Sequence, residues 1–212
     1  MNTQIADLIK SAEQGNIDVL CNLGVLYFYG NDVEQDYKQA LYWWSKGAEL
    51  GDAQCQCNLG ILYFNGWGTY PNYEKAFYWY EKSAIQNHPA AQYNLGYMYD
   101  AGVGAKQNYE KAFYWYKKSA TQGYHLAEYN LGAMYKNGDG VTQNYSNAAY
   151  WWRKSAEAGA ADAQFQLGMM YHRGLGVEQN IGLSINWLTK SSQQGNTDAS
   201  KYLKQLLSYY NK

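Results

Sequence analysis

An all-α solenoid of about five 36-residue helix-turn-helix repeats, with a capping half-repeat at each end, is the fold class this sequence predicts. Three observations predict it: one constant period, apolar residues at helical spacing within each period, and glycine or asparagine punctuation between the helical stretches. Leu-Gly recurs at 23–24, 59–60, 95–96, 131–132 and 167–168, each step being 36 residues with no insertion. The same step links Tyr27, Tyr63, Tyr99, Tyr135 and Tyr171, and it links Trp43, Trp79, Trp115, Trp151 and Trp187. Ala40, Ala76, Ala112 and Ala148 form a further series, with Ser184 in the fifth slot.

These series divide residues 1–212 into one continuous solenoid: a capping helix at 1–15, repeats at 16–51, 52–87, 88–123, 124–159 and 160–195, and a second capping helix at 196–212. Residues 5–15 match the second half of a helix B, with Ala12 at the Ala48 position. Helix A of each repeat is typified by residues 91–99, where Leu95, Met98 and Tyr99 fall at i, i+3, i+4. It stops at Gly66-Trp-Gly68, Gly102-Val-Gly104, Gly138-Asp-Gly140 or Gly174-Leu-Gly176, the first glycine suiting a left-handed C′ position. The first repeat keeps only one of the two, as Gly30-Asn-Asp32. Helix B starts after Asp36, Asn72, Asn108, Asn144 or Asn180, whose side-chain oxygens can accept from orphan N–H groups. It ends near Gly51, Gly123, Gly159 and Gly195, with Asn87 as the exception and Pro89 just beyond. Glycine in Leu-Gly and alanine in the Ala40 series allow helices A and B to approach closely, and the Trp series is expected in the core. In the last helix, Leu203 keeps the Leu slot, while Lys201, Lys204 and Lys212 give the polar character of a cap.

Composition narrows the function. A net charge of −1 removes the electrostatic reason to expect nucleic acid or an anionic membrane as partner. No apolar run is long enough to cross a bilayer, and the N-terminus lacks the pattern of a signal peptide. A cytoplasmic protein is the expectation; an exported effector, or a periplasmic protein whose signal has been removed, is the alternative. Cys21, Cys55 and Cys57 are odd in number and read as reduced thiols in a reducing compartment. Cys55 and Cys57 lack metal-ligand spacing, and His88, His125 and His172 fall in different repeats, so neither metal nor cofactor is expected. The Gly-x-Gly turns recur in every repeat and are punctuation, not a phosphate loop. Lys117-Lys118 and Arg153-Lys154 read as a solvated outer face. No nucleophile, base and acid share a slot that the fold would bring together, so no catalytic residue is assigned.

Residues 91–120, with Leu95-Gly96, Tyr99, Gly102-Val-Gly104 and the aromatic run Phe113-Tyr-Trp-Tyr116, resemble the Sel1-like repeat, a relative of the tetratricopeptide repeat. The resemblance covers nearly the whole chain. It implies a right-handed α/α superhelix whose helices A line a concave groove, used as an adaptor for one or more proteins or peptides. In bacteria it implies a regulatory, immunity-type or host-interaction role. Some members carry a disulfide in each repeat between cysteines eight residues apart; here Glu13 and Glu49 occupy the slots that would pair with Cys21 and Cys57. The resemblance places Tyr93, Tyr129 and Phe165, with Cys21 and Cys57, on the concave wall. It places Tyr97 there too, among Val25, Ile61, Ala133 and Met169, and further along Phe28, Phe64, Asp100, Lys136 and His172. Asn22, Asn58, Asn94, Asn130 and Gln166 precede each Leu and could grip a ligand's main chain, or else satisfy helix backbone groups across adjacent repeats. Other readings are a groove for glycan or peptidoglycan fragments stacked on Tyr93, Tyr97 and Tyr129, a weak hydrolase, and self-association through Phe28, Tyr29 and Phe64.

Overall fold

A computed structural model describes residues 3–210 and contains, among them, twelve α-helices and no strand. Residues 1–2 and 211–212, the extremities of both expected capping segments and with them Lys212, lie outside the described residues. The chain divides into two compact units, residues 1–108 and 109–212. The first holds α1 (Thr3–Glu13), α2 (Ile17–Tyr29), α3 (Tyr37–Glu49), α4 (Ala53–Asn65), α5 (Tyr73–Ile85) and α6 (Pro89–Ala101). The second holds α7 (Tyr109–Thr121), α8 (His125–Asn137), α9 (Tyr145–Glu157), α10 (Ala161–Arg173), α11 (Ile181–Gln193) and α12 (Thr197–Tyr210). The boundary falls between the two helices of the third repeat. Even-numbered helices are of type A and odd-numbered ones of type B.

Helix ends follow the expected punctuation. Asp36 accepts from Lys38 N and Gln39 N, and Asn72, Asn144 and Asn180 each accept from the third residue of their helix. Each A helix from α2 to α10 ends on a glycine in the left-handed region. The second glycine of each pair has a different job. A Cβ on Gly68, Gly140 or Gly176 would overlap the backbone at Tyr37, Tyr109 or Tyr145, the first residue of the preceding B helix. Asp32, in the equivalent slot of the first repeat, takes φ 60° with a side chain attached.

In the first, second, fourth and fifth hairpins the Leu-Gly glycine is a seat for a large side chain. A Cβ on Gly24 would overlap the Trp44 ring, one on Gly60 the Tyr80 ring and one on Gly132 the Trp152 ring; Gly168 is seated against Leu188. Trp44 Nε1 donates to Cys21 O and Trp152 Nε1 to Tyr129 O, each at 3.0 Å, fixing the ring against helix A. This corrects the sequence expectation by one residue. Trp43 is buried, but Trp79, Trp115, Trp151 and Trp187 are only half-buried, and the deeply buried slot is the next one, Trp44, Tyr80, Tyr116, Trp152 and Leu188. Trp44, with Ala40, Ala48, Leu59 and Leu62, forms the heart of a first-unit cluster; Trp152, with Ala148, Ala156, Leu167 and Met170, does so in the second. Ser184, in the alanine slot, is buried, and among the described residues its hydroxyl has no hydrogen-bond partner.

A buried glutamine near the start of helix A ties it to the B helix before it. Gln56, Gln92 and Gln164 donate through Nε2 to Ala48 O, Ala84 O and Ala156 O, all at 3.1 Å. Gln86 and Gln194 in turn donate to Gln56 Oε1 and Gln164 Oε1 at 2.8 Å. In the fourth repeat this slot is Glu128, only 4% exposed, with Ala158 where a donor glutamine would stand. An ionised carboxylate has no hydrogen to offer the carbonyl eight residues back. Burial pushes the Glu128 carboxyl above its ordinary range; Lys154 and His125 oppose that, and Glu157 adds to it.

Two outcomes follow from the seat and the glutamine slot. Gly132→Ala forces Trp152 out of place and is expected to cost about 1–3 kcal/mol in urea unfolding. Because the folded state holds Glu128 above its unfolded pKa, the group is neutral and costs nothing below the ordinary carboxylate range, and it destabilises the fold as pH rises through the raised value and the buried carboxyl ionises. Glu128→Gln should therefore raise Tm at pH 8 by about 2–4 °C and leave it unchanged near pH 4; an equal effect at both pH values would contradict this.

Candidate partner-binding groove

The residues flanking Leu-Gly stand at the edge of the seat. In the first unit they border a hollow of about 410 Å³ between α2 and α4. Val25 and Phe28 come from α2, Asn58 and Ile61 from α4, and Trp44 and Trp67 close it. Phe28 is its centre: ring centroids of Tyr29, Tyr37, Trp44 and Trp67 lie 4.9, 5.3, 5.4 and 5.4 Å away. Tyr37 and Trp67 stack at 5.7 Å with planes 16° apart. Further along the same unit, Phe64 of α4 meets the exposed Tyr97 of α6 at 6.1 Å. Asn94 and Tyr93, half-buried, and Asp100 belong to the same helix as Tyr97.

In the second unit the equivalent hollow, displaced by three periods of sequence, measures about 250 Å³. Lys136 of α8, Phe165, Gln166, Met169 and Arg173 of α10, and Trp152 line it. Tyr129, half-buried on α8, has its ring 6.4 Å from Trp152; burial, helped by the Asp162 charge, pushes its phenol above the ordinary range. Asn130 follows it on the same helix. Trp67 and Leu175, the central residues of two Gly-x-Gly turns, both fold over these hollows. Sequence reasoning treated those turns as punctuation only, although their variable middle residue was the available signal.

One amide of the series is bonded within its own helix. Asn58 Oδ1 accepts from Gln54 Nε2 at 2.9 Å, within its own helix. Among the described residues, the side chains of Asn22, Asn94, Asn130 and Gln166 make no hydrogen bond. Among the described residues none of the five satisfies a backbone group of an adjacent repeat, which was the alternative to ligand contact.

The cysteines depart from expectation. Cys21 of α2 and Cys55 of α4 are joined as a disulfide across 34 residues of sequence, with Cα atoms 5.5 Å apart. The expectation of reduced thiols rested on their odd number; stacking of adjacent A helices pairs two of the three and leaves Cys57 over. Asp52 caps α4 through Cys55 N and lies 3.0 Å from Cys21 Sγ, so a reduced Cys21 has an acceptor at hand. Reduced, Cys21, Cys55 and Asp52 would offer two sulfurs and one oxygen within 4.8 Å of one another, three of the four ligands of a tetrahedral zinc; oxidised, the sulfurs are bonded to each other. Cys57 is free and buried, its thiol pushed up to about 12 by burial. His88 caps α6 by accepting from Ala91 N and meets Gln54 Oε1 at 3.1 Å; burial holds its pKa below the usual range against the pull of Asp52. His125 stacks on Tyr124 and His172 bonds Tyr202, so the three histidines serve separate local roles.

Comparison with known proteins agrees with this geometry. The Sel1 repeat family profile matches residues 17–52, 53–88, 89–124, 125–159 and 161–196, and the chain belongs to that family. Among solved structures it is similar to c5321, described as a protective antigen of uropathogenic Escherichia coli with an SLR fold: 38% identity, TM-score 0.88, covering 94% of this chain and 43% of that one. The chain thus spans less than half the length of c5321. It is also similar to a Sel1 repeat protein from Oxalobacter formigenes, at 34% identity and TM-score 0.82 over 89% of this chain and 75% of that one. The immunity protein Pa5087 of Pseudomonas aeruginosa shares the fold, at 23% identity and TM-score 0.55 over 87% and 68% of the two chains. A search of curated proteins returned no match.

The inter-repeat disulfide yields the expectation that Cys21→Ser lowers unfolding free energy by about 2–4 kcal/mol. Reductant should do the same to the native chain and nothing to the variant. Thiol titration of the unfolded, unreduced protein should find Cys57 alone.

Proposed function

We propose that this chain is a non-catalytic scaffold that holds a segment of a partner protein along its A-helix faces. The observation that carries the reading is the set of amides at Asn22, Asn94, Asn130 and Gln166, which have no hydrogen bond among the described residues and stand beside exposed or half-exposed rings. A side-chain amide donates and accepts at once, which matches a peptide group, whereas rings such as Tyr97 and Phe165 give apolar area for side chains. Sel1 repeats are typically protein-binding scaffolds, and the likeness to a protective antigen of a pathogenic bacterium supports a host-interaction or defence setting. The Cys21–Cys55 bond supports an oxidising compartment, and so the exported or periplasmic alternative over the reducing cytoplasm.

Asn94→Ala and Tyr97→Ala should each weaken partner capture about tenfold while leaving Tm nearly unchanged. Tyr78→Ala, on the exposed side of α5, should leave capture intact. Binding measured against the purified partner checks this; a fall in Tm with unaltered affinity would return the amides to a structural role, and a glycan in place of a protein in the isolated complex would replace the partner class.

A further inference from the structure

We propose that the first-unit hollow between α2 and α4 is a subsite for an arginine side chain of the partner protein. The inference rests on the scaffold reading and names the chemistry of one contact. Phe28, Tyr29, Trp44 and Trp67 line the hollow with aromatic rings, and among the described residues no charged side chain lines it. Ring faces carry negative quadrupole density and attract a cation; a guanidinium adds planar stacking and N–H groups that need acceptors. Asn58 Oδ1 at the rim accepts one bond from Gln54 and keeps a second lone pair for such a donor.

The rest of the molecule supplies the comparison. On the outer faces of the B helices the protein covers its own rings with lysines: Lys46 lies 4.5 Å from the Tyr42 centroid, Lys118 5.2 Å from Tyr114 and Lys190 4.4 Å from Trp187. In the second-unit hollow, Lys136 lies 6.0 Å from the Trp152 centroid, so that ring has an internal cation. Trp152 is the repeat equivalent of Trp44, and Lys136 the equivalent of Phe28. Among the described residues no lysine or arginine lies over Phe28, Tyr29, Trp44 or Trp67. The first-unit hollow therefore has the rings without the cation. Its unit also has the matching charge: residues 1–108 carry eleven Asp and Glu against six Lys and Arg, whereas 109–212 carry seven against eleven. An acidic unit draws a cationic guest, and the basic unit repels it from the equivalent hollow.

The test follows the indole N–H signals of Trp44 and Trp67 in the full chain during titration with acetyl-arginine amide, its neutral isostere acetyl-citrulline amide, and acetyl-leucine amide. The arginine probe should shift both signals with about tenfold higher affinity than citrulline, and added salt should weaken it. Phe28→Lys, which copies the second-unit arrangement, and Trp67→Leu, at a partly exposed turn position, should each abolish the shift of the remaining indoles while the fold persists by circular dichroism. Equal binding of citrulline or leucine, or no movement of either indole up to the solubility limit of the arginine probe, overturns the proposal. A partner whose capture depends on Asn94 and Tyr97 but is indifferent to Phe28→Lys overturns the arginine subsite and leaves the scaffold reading standing.

Discussion

The seat of a large side chain on a glycine is the contact from which the remaining structure follows. Gly24, Gly60, Gly132 and Gly168 leave no room for a Cβ because Trp44, Tyr80, Trp152 and Leu188 occupy that space. Helix B is thereby held against helix A at a distance only glycine allows, and the indole N–H of Trp44 or Trp152 locks the ring to a helix A carbonyl. Each such side chain contributes roughly 1.5–3 kcal/mol by burial, more than any single cap or turn. The alanine slot, the buried serines and the helix-tying glutamines then fill what the seat leaves. Ser83 and Ser155, for instance, donate to Ala53 O and His125 O at the start of their partner A helices.

The same constraint determines what can be functional. On a helix, the Asn before Leu lies on the side opposite the Gly, whereas the residue after Gly stands at the edge of the seated side chain. The Asn before Leu thus stays outside the hairpin core, while Val25 and Ala133, each after the Gly, are half-buried against the clusters that hold Trp44 and Trp152. The residue after Gly varies: Val25 and Ile61 in the first unit correspond to Ala133 and Met169 in the second. One architecture consequently presents hollows of different character, ring-lined and uncharged in one unit, bordered by Lys136 and Arg173 in the other. Sequence variation at constant backbone is how a repeat protein acquires specificity.

Most of the architecture is legible in the sequence because the period never slips. Caps and helix ends follow from register alone. What register could not supply is the identity of the ring in the seat: Trp43 and Trp44 are both apolar and adjacent, and only the direction of the helix face against Gly24 selects the second. The Cys21–Cys55 pair was hidden for a related reason, since a contact across 34 residues depends on how neighbouring A helices stack. Glu128 broke the glutamine series in plain view, yet its meaning needed the carbonyl that Gln56, Gln92 and Gln164 address. For the candidate site, sequence placed Asn94 and Tyr97 beside each other on one helix; the state of the amides was a matter of coordinates.

Site-specific photo-crosslinking tests the central claim most directly. A photoreactive phenylalanine analogue placed at Tyr97, on the A-helix face, or at Tyr78, on the outer B-helix face, is irradiated in the presence of the partner. The account predicts a covalent partner adduct from position 97 and none from position 78. Adducts from position 78 alone would mean that the outer face, and not the wall left open by the glycine seats, is where this protein holds its guest.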